Sequence, residues 1–538
     1  MSLKLPDGLL MVEAEAGAAG LHGEDVSAVD STIEFAIQLP LRVPSIGVVL
    51  AFGLLLRLGL AFLPAFQIDT GTFQAWSRQL ASDHPWNFYN TDFFTDYAPG
   101  YMYILWLFGE LDRLFGGFGL STFEYILKLP SIVADIGSAY VLYLLLKDQR
   151  REWRIGAATL YLLFPPVLLI GPVWGQVDSL LALFLLLAIY FVGTERPISG
   201  ALAYTIGFLI KPQIIAALPF LAFWIMKRFR SETPIQATTQ LFTGLSVLAA
   251  GIAGLALVDQ DPHASYRLVF GGIAAVGGVE GLRGLGRMAL DRWEPSVPSG
   301  LSIRELLPSF PTWYRAVGLS LAVALVLIFP FFTYKPWEII GQLYKANEVY
   351  PVNSFFAYNF WNVGGLAEGF KPDVSGIKPD EGTFLGIDHR AWGLFLYAIS
   401  TVAIIWLMRK SEGIGGLALG TSLCVLVFYV FMTRMHERYA FAFFLPFLAA
   451  AVDLRSRVLF AAFLSLGVIH FFNLYHVYVY YQHALKWPAF YKWFERTDNL
   501  STGLDTVQVL SLLFVAALAL VLAAAYVIIN RPRRVGVT

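Results

Sequence analysis

The chain has 538 residues, with 38 Lys and Arg against 39 Asp and Glu, so its net charge is −1. Hydrophobic residues make up 57% and charged residues only 14%, with a mean hydropathy of +0.62, against about 25% charged in ordinary soluble domains. So few charges cannot cover a folded chain of this size in water: a string of soluble domains is excluded, lipid is the solvent for much of the chain, and nucleic acid is not an expected partner.

Residues 1–44 are polar and acidic and lack a basic-then-apolar start, so no cleaved leader is expected and the segment reads as cytoplasmic. Runs long enough, or nearly so, to cross a bilayer follow at 45–66, 122–146, 155–172, 179–194, 197–211, 213–227, 236–258, 313–334, 390–408, 413–432, 438–452, 457–478 and 506–530. A Gly-rich run at 264–282 is weaker. The single cysteine, Cys424, lies inside one of these runs and offers no disulfide framework.

Tight basic groups mark cytoplasmic turns. They are Lys147/Arg150/Arg151/Arg154, Lys227/Arg228/Arg230, Arg409/Lys410, Arg455/Arg457 and Arg531/Arg533/Arg534. The connectivity closes with all of them inside only if the insertion 231–312 crosses twice, which enlists the 264–282 run and puts both termini in the cytoplasm. The same parity forbids 97–116 from spanning, and this aromatic, amphipathic stretch is expected to lie in the outer interface. The predicted fold is therefore an all-α polytopic membrane protein of about 12–14 spanning helices over residues 45–530, with a basic cytoplasmic tail at 531–538. Its first outer loop, 67–121, carries helical pieces at about 70–82 and 97–116, and a second long outer loop covers 335–389.

Polar residues collect on the predicted outer side. Asp69 closes the first apolar run in FQIDTGTFQAW, and Asp96 begins the DYAPGY segment. Each reads either as a helix N-cap or as an acid–base group beside the bilayer. Trp174, Gln176 and Asp178 form the turn WGQVD. Lys211, beside Pro212, reads as an interfacial anchor or as a ligand contact. Asn353, Asn359 and Trp361, with Asn362, read either as a sugar-handling surface of rings and amides or as turn formers. Arg434, His436, Arg438 and Tyr439 stand at the outer start of a helix. There the two arginines point to an anionic ligand such as a phosphate, or to ion pairs with Glu437 or a nearby Asp. Asp259 and Asp261 fall in an unsupported turn, and His470, His476 and His483 lack metal-ligand spacing. There is no HExxH pattern or phosphate-cradling Gly loop.

In this order, Asp69, DYAPGY (96–101), GQVDS (175–179), KPQ (211–213), NSFFAYNFW (353–361) and HERY (436–439) resemble the C-type (GT-C) membrane glycosyltransferases. Within them they resemble the bacterial relatives of the PIG-V mannosyltransferases; the insertion 231–312 departs from that pattern. The resemblance implies a polyprenyl-phosphate sugar as donor and transfer on the extracytoplasmic face. It matches Asp69 with the catalytic base, Asp96 with the second loop carboxylate and Arg438 with the holder of the lipid phosphate; Lys211 and Asn353 match motif positions without an assigned role. A phosphate leaving group is stabilised by cations, for which Arg434, Arg438, Lys211 and His436 are candidates, and one base with one displacement implies inversion at the anomeric carbon. Trp174, Gln176, Asp178, Asn353, Asn359, Trp361 and Tyr439 are candidates for sugar or acceptor contact. No metal or other cofactor is expected beyond the lipid-phosphate-linked donor, and the expected partners are the bilayer, that donor and an acceptor glycan, lipid or protein. A lipid-linked-sugar transporter or a non-catalytic scaffold of the same fold are the competing readings.

Overall fold

The computed structural model describes residues 44–90, 94–229, 312–332, 335–363, 379–488, 492 and 506–530, with scattered helical residues between 241 and 288. Residues 1–43, the tail 531–538 and most of the insertion lie outside the described residues. Helix α1 (Ile46–Leu60) starts at Ser45, whose hydroxyl accepts from the Val48 N–H at 3.3 Å. Helices α2 (Gln67–Asp83) and α3 (Pro99–Leu114) make up the first loop. The chain continues through α4 (Leu120–Leu145), α5 (Arg151–Leu163), α6 (Pro165–Trp174), α7 (Asp178–Gly193), α8 (Pro197–Ile210) and α9 (Leu218–Arg228). After the insertion come α10 (Thr312–Ile328), α11 (Glu338–Glu348), α12 (His389–Met408), α13 (Gly413–Phe431), α14 (Phe441–Asp453), α15 (Arg457–Gln482) and α16 (Thr506–Asn530).

Helices α4, α12, α13, α15 and α16 are long and apolar enough to span a membrane, and α5 with α6 forms a sixth crossing bent by 48°. The bend falls at Pro165-Pro166, which supply no N–H groups to the ladder. Helices α1, α7, α8 and α10 are apolar but shorter. The protein is an all-α, multi-pass membrane protein.

Contacts between the turns sort the helix ends into two groups. At one end the basic turns meet: Gln149 Nε2 donates to the Asp453 carbonyl at 3.2 Å, Arg455 Nε donates to Gln149 Oε1 at 3.1 Å, and Lys227 Nζ donates to the Arg409 carbonyl at 2.6 Å. Residues 228 and 312 share this end. Within the insertion, a Cβ on Gly244 would meet the Gly281 nitrogen at 2.1 Å, one on Gly251 the Ala274 nitrogen at 2.4 Å, and one on Gly284 the Leu241 nitrogen at 2.5 Å. Among the described residues of the insertion these close approaches run antiparallel, backbone against backbone. Arg315 of α10 reaches Glu280 with two bonds, of 3.0 and 2.9 Å.

The opposite end holds the first loop and the two short strand pairs. Gly100 lets the start of α3 touch the end of α8, since a Cβ there would lie 2.5 Å from the Leu209 carbonyl carbon. Strand β1 (Ser354–Phe355) pairs in parallel with β4 (Met435–His436), joining the amide-rich loop to the HERY turn. Strands β2 (Thr383–Phe384) and β3 (Ile387–Asp388) form a hairpin leading into α12.

Candidate active site

Asp69 is the third residue of α2, not its N-cap: Phe66 holds the cap position and makes no side-chain cap bond. An acidic side chain in a first helical turn sits in the favourable field of the unpaired N–H groups. Asp69 Oδ2 instead accepts from the indole N–H of Trp174 at 2.7 Å, and the Phe66 N–H donates to the Trp174 carbonyl at 3.0 Å. Trp174 ends a six-residue π-turn, Leu169–Trp174, a local conformation that recurs at functional sites. The chain then reverses at Gly175, with φ 87°, where a Cβ would stand 3.0 Å from Thr70 Cγ2. Only glycine suits both the angle and the space.

Asp96 is not a cap either, since Ala98 caps α3 with Pro99 in the first turn. Burial pushes its carboxyl up to about 6, with Arg438 opposing and the Asp69 charge adding to the rise. Next to it, the Tyr97 hydroxyl donates to Gln176 Oε1 at 3.2 Å, and the Gln176 carbonyl accepts from the Ser131 hydroxyl. Asp178 binds Lys211 Nζ through both oxygens at 2.8 Å, each residue being almost fully buried. Lys211 Nζ also lies 5.9 Å from the Tyr97 ring centre and 5.6 Å from that of Tyr439. A buried ammonium needs such enclosure. It is therefore held by a carboxylate as well as by its position at the end of α8.

Arg438 donates from Nη1 to Glu437 Oε1 at 2.8 Å, the ion pair that the sequence left open, and its Nε lies 4.0 Å from Asp178 Oδ2. Asp69 is the foremost charge favouring its guanidinium, ahead of Glu437. Residues far apart in sequence thus share one electrostatic environment. Glu437 is buried, and that burial raises its carboxyl against the pull of Arg438. The His436 ring is boxed by Tyr350, Phe355 and Tyr439 at 4.9, 4.7 and 5.0 Å. Burial, with Arg438 and Lys211 beside it, lowers its pKa well below the ordinary histidine value, which favours the neutral ring.

A cavity of about 260 Å³ opens here, lined by Asp96, Tyr97, Lys211, Gln213, His436 and Arg438 among others. Asp69 is not among its lining residues, and its charge acts on two that are, Asp96 and Arg438. Five buried polar atoms around this space find no hydrogen-bond partner among the described residues: Gln176 Nε2, Gln213 Oε1, His436 Nδ1, Glu437 Oε2 and Arg438 Nε. Each such orphan costs about 1–3 kcal/mol unless a ligand or water meets it. Glu437 and Gln213 belong to this set although the sequence reading gave them no ligand role; their place inside the HERY and KPQ motifs was the available signal.

Other candidates are engaged elsewhere. Arg434, although on the cavity wall, is clamped by Asp380 at 2.6 Å and Glu348 at 2.7 Å, so two carboxylates already neutralise it. Asn353 bonds His389 Nδ1 at 2.9 Å. Asn359 Oδ1 accepts from the Trp361 N–H at 3.2 Å, and the Trp361 indole donates to the Phe431 carbonyl at 2.8 Å. The amide–aromatic loop is thus a scaffold behind β1 and takes no part in lining the cavity. Trp174 is fully buried and stacked on Phe66 at 4.4 Å, so that side of its ring is closed to a sugar. No group of three or more His, Cys, Asp or Glu with metal-binding geometry occurs among the described residues.

No family model matches the chain, and no curated protein matches its sequence. Among solved structures it is similar to the apo oligosaccharyltransferase of Archaeoglobus fulgidus, at 13% identity and a TM-score of 0.36, over 90% of this chain and 55% of that one. It is also similar to the archaeal oligosaccharyltransferase AglB from Archaeoglobus fulgidus in complex with an inhibitory peptide and a dolichol-phosphate, at 15% identity with the same TM-score and coverage. The chain spans about half the length of these structures.

Proposed function

We propose that the protein is an inverting GT-C-type membrane glycosyltransferase that moves a hexose, mannose or glucose, from a polyprenyl phosphate to an acceptor hydroxyl on the extracytoplasmic face. The observation that carries this reading is a cavity lined by Asp96, Lys211 and Arg438, with buried polar atoms around it that make no hydrogen bond among the described residues and with the Asp69 charge acting on Arg438. The basic turns at the opposite end support the orientation.

In this reading the donor phosphate takes Arg438 Nε, which makes no hydrogen bond among the described residues, with neutral His436 as a further donor when its proton is on Nδ1. Lys211, neutralised by Asp178, contributes position more than charge. The acceptor oxygen attacks the anomeric carbon and its proton passes to Asp69. The carbon–oxygen bond to phosphate breaks, and the electron pair leaves on the phosphate, where the guanidinium stabilises it. One displacement inverts the anomeric centre. An almost wholly apolar groove of about 460 Å³ between α8, α9 and α10 shares Phe208 and Ile215 with the polar cavity, and suits an isoprenoid chain.

The test uses the full chain in nanodiscs with polyprenyl-phosphate mannose or glucose and a membrane extract as acceptor source. Release of polyprenyl monophosphate, with label appearing in an inverted glycoside, is expected. Asp69→Asn should reduce release at least about 100-fold while donor binding persists. Wild-type release by that variant would reject the base, and liposome flux of the donor without any covalent product would favour transport.

A further inference from the structure

We propose that Trp174 is the positioning residue of the Asp69 carboxylate, a role that rests on the reading of Asp69 as the base. Three contacts from this one residue grip the first turn of α2. Its carbonyl accepts the Phe66 N–H at 3.0 Å, its ring stacks on Phe66 with centroids 4.4 Å apart, and its indole N–H reaches Asp69 Oδ2 at 2.7 Å. The ring itself is locked: Trp174 is fully buried, with Tyr478 tilted against it at 6.0 Å. An aspartate side chain turns about two torsions, so a carboxylate without a fixed partner samples several headings. Pinning Oδ2 removes that freedom and leaves Oδ1, to which no described residue donates, as the oxygen available to an acceptor proton.

The turn that carries Trp174 also carries the other half of the site. Gln176 N–H donates to the Ile170 carbonyl at 3.1 Å, and two residues on, Asp178 holds Lys211. One short segment therefore fixes the heading of the base relative to the cavity wall, and a shift of about 1 Å in such a group can cost about 100-fold in rate.

The experiment replaces Trp174 with 3-benzothienylalanine, which keeps the ring system and puts sulfur where the N–H was, with Trp174→Phe as a genetically simple companion. Release of polyprenyl monophosphate from polyprenyl-phosphate mannose or glucose is measured in nanodiscs. The expected result is a kcat lower by about 10- to 100-fold, a donor KM within about two-fold of wild type, and an unchanged thermal midpoint for the benzothienyl protein. In an Asp69→Asn background the same replacement should cause no further loss, as a residue acting only through Asp69 must. If Asp69→Asn is inactive and the folded benzothienyl protein keeps its kcat, the positioning role is overturned while the base stands. If Asp69→Asn turns over normally, the base itself is rejected and this role with it.

Discussion

Asp96 is where pH enters the site. Its carboxyl titrates at about 6, above the ordinary aspartate value, because burial disfavours its charge and Asp69 adds to that. A lipid-linked sugar phosphate is a diester and stays anionic throughout this range. Below about pH 6 Asp96 is neutral beside it; above, a second negative charge faces it. Donor affinity should therefore fall as pH rises through about 6, and Asp96→Asn should flatten the profile in a binding titration from pH 5 to 7.5. At Arg438 the fork matters as well as the charge, since Nη1 donates to Glu437 while Nε makes no hydrogen bond among the described residues. Arg438→Lys keeps the charge and loses the second direction, so donor KM should rise about ten-fold in steady-state kinetics.

At the scale of elements, short segments place these groups, and their faults can be measured as stability. Gly175→Ala puts a Cβ at φ 87° and 3.0 Å from Thr70 Cγ2, and should cost at least about 1 kcal/mol in a thermal or denaturant assay in detergent. The Lys211–Asp178 pair joins the end of α8 to the start of α7 with both partners buried. Lys211→Met alone leaves the buried Asp178 carboxylate with only the 4.0 Å approach of Arg438 Nε, for an expected loss of about 3 kcal/mol. Lys211→Met with Asp178→Leu should recover most of it. That the double variant regains stability without regaining turnover would separate the fold from the chemistry.

Across the whole molecule, the sorting of helix ends predicts a topology. With the buried Cys424 replaced by Ala, Ser82→Cys should react with an impermeant maleimide from outside intact cells, and Asp148→Cys only after the membrane is opened. The reverse pattern would invert the molecule and move the proposed chemistry to the cytoplasm. Along the chain, most of the apolar runs were legible as helices, as were the two helical pieces of the first loop, because hydropathy and amphipathic period are written in neighbouring residues. The break at Pro165-Pro166 was not anticipated, although two prolines in an apolar run carry its cause.

The candidate site was legible in its residue types and only partly in their partners. Asp69, Asp96, Lys211 and Arg438 could be picked out because charge at a membrane's edge is costly and so conspicuous. Which charges neutralise one another could not be, because an ion pair depends on distances between segments far apart along the chain. Arg434 and Arg438 look alike from four residues apart, and folding gives each two carboxylates, but Arg434 is hydrogen-bonded through Nε whereas Arg438 Nε approaches Asp178 only to 4.0 Å and makes no hydrogen bond among the described residues. The amides at 353 and 359 and the indole of Trp174 had the right chemistry for a sugar, and packing spent it on the protein's own backbone and side chains. Composition alone determined that this chain lives in lipid and builds helices, since burying a polar backbone in a bilayer leaves little else. Tertiary structure alone decided which polar atoms remain unsatisfied around the cavity, because that depends on distances between segments far apart along the chain.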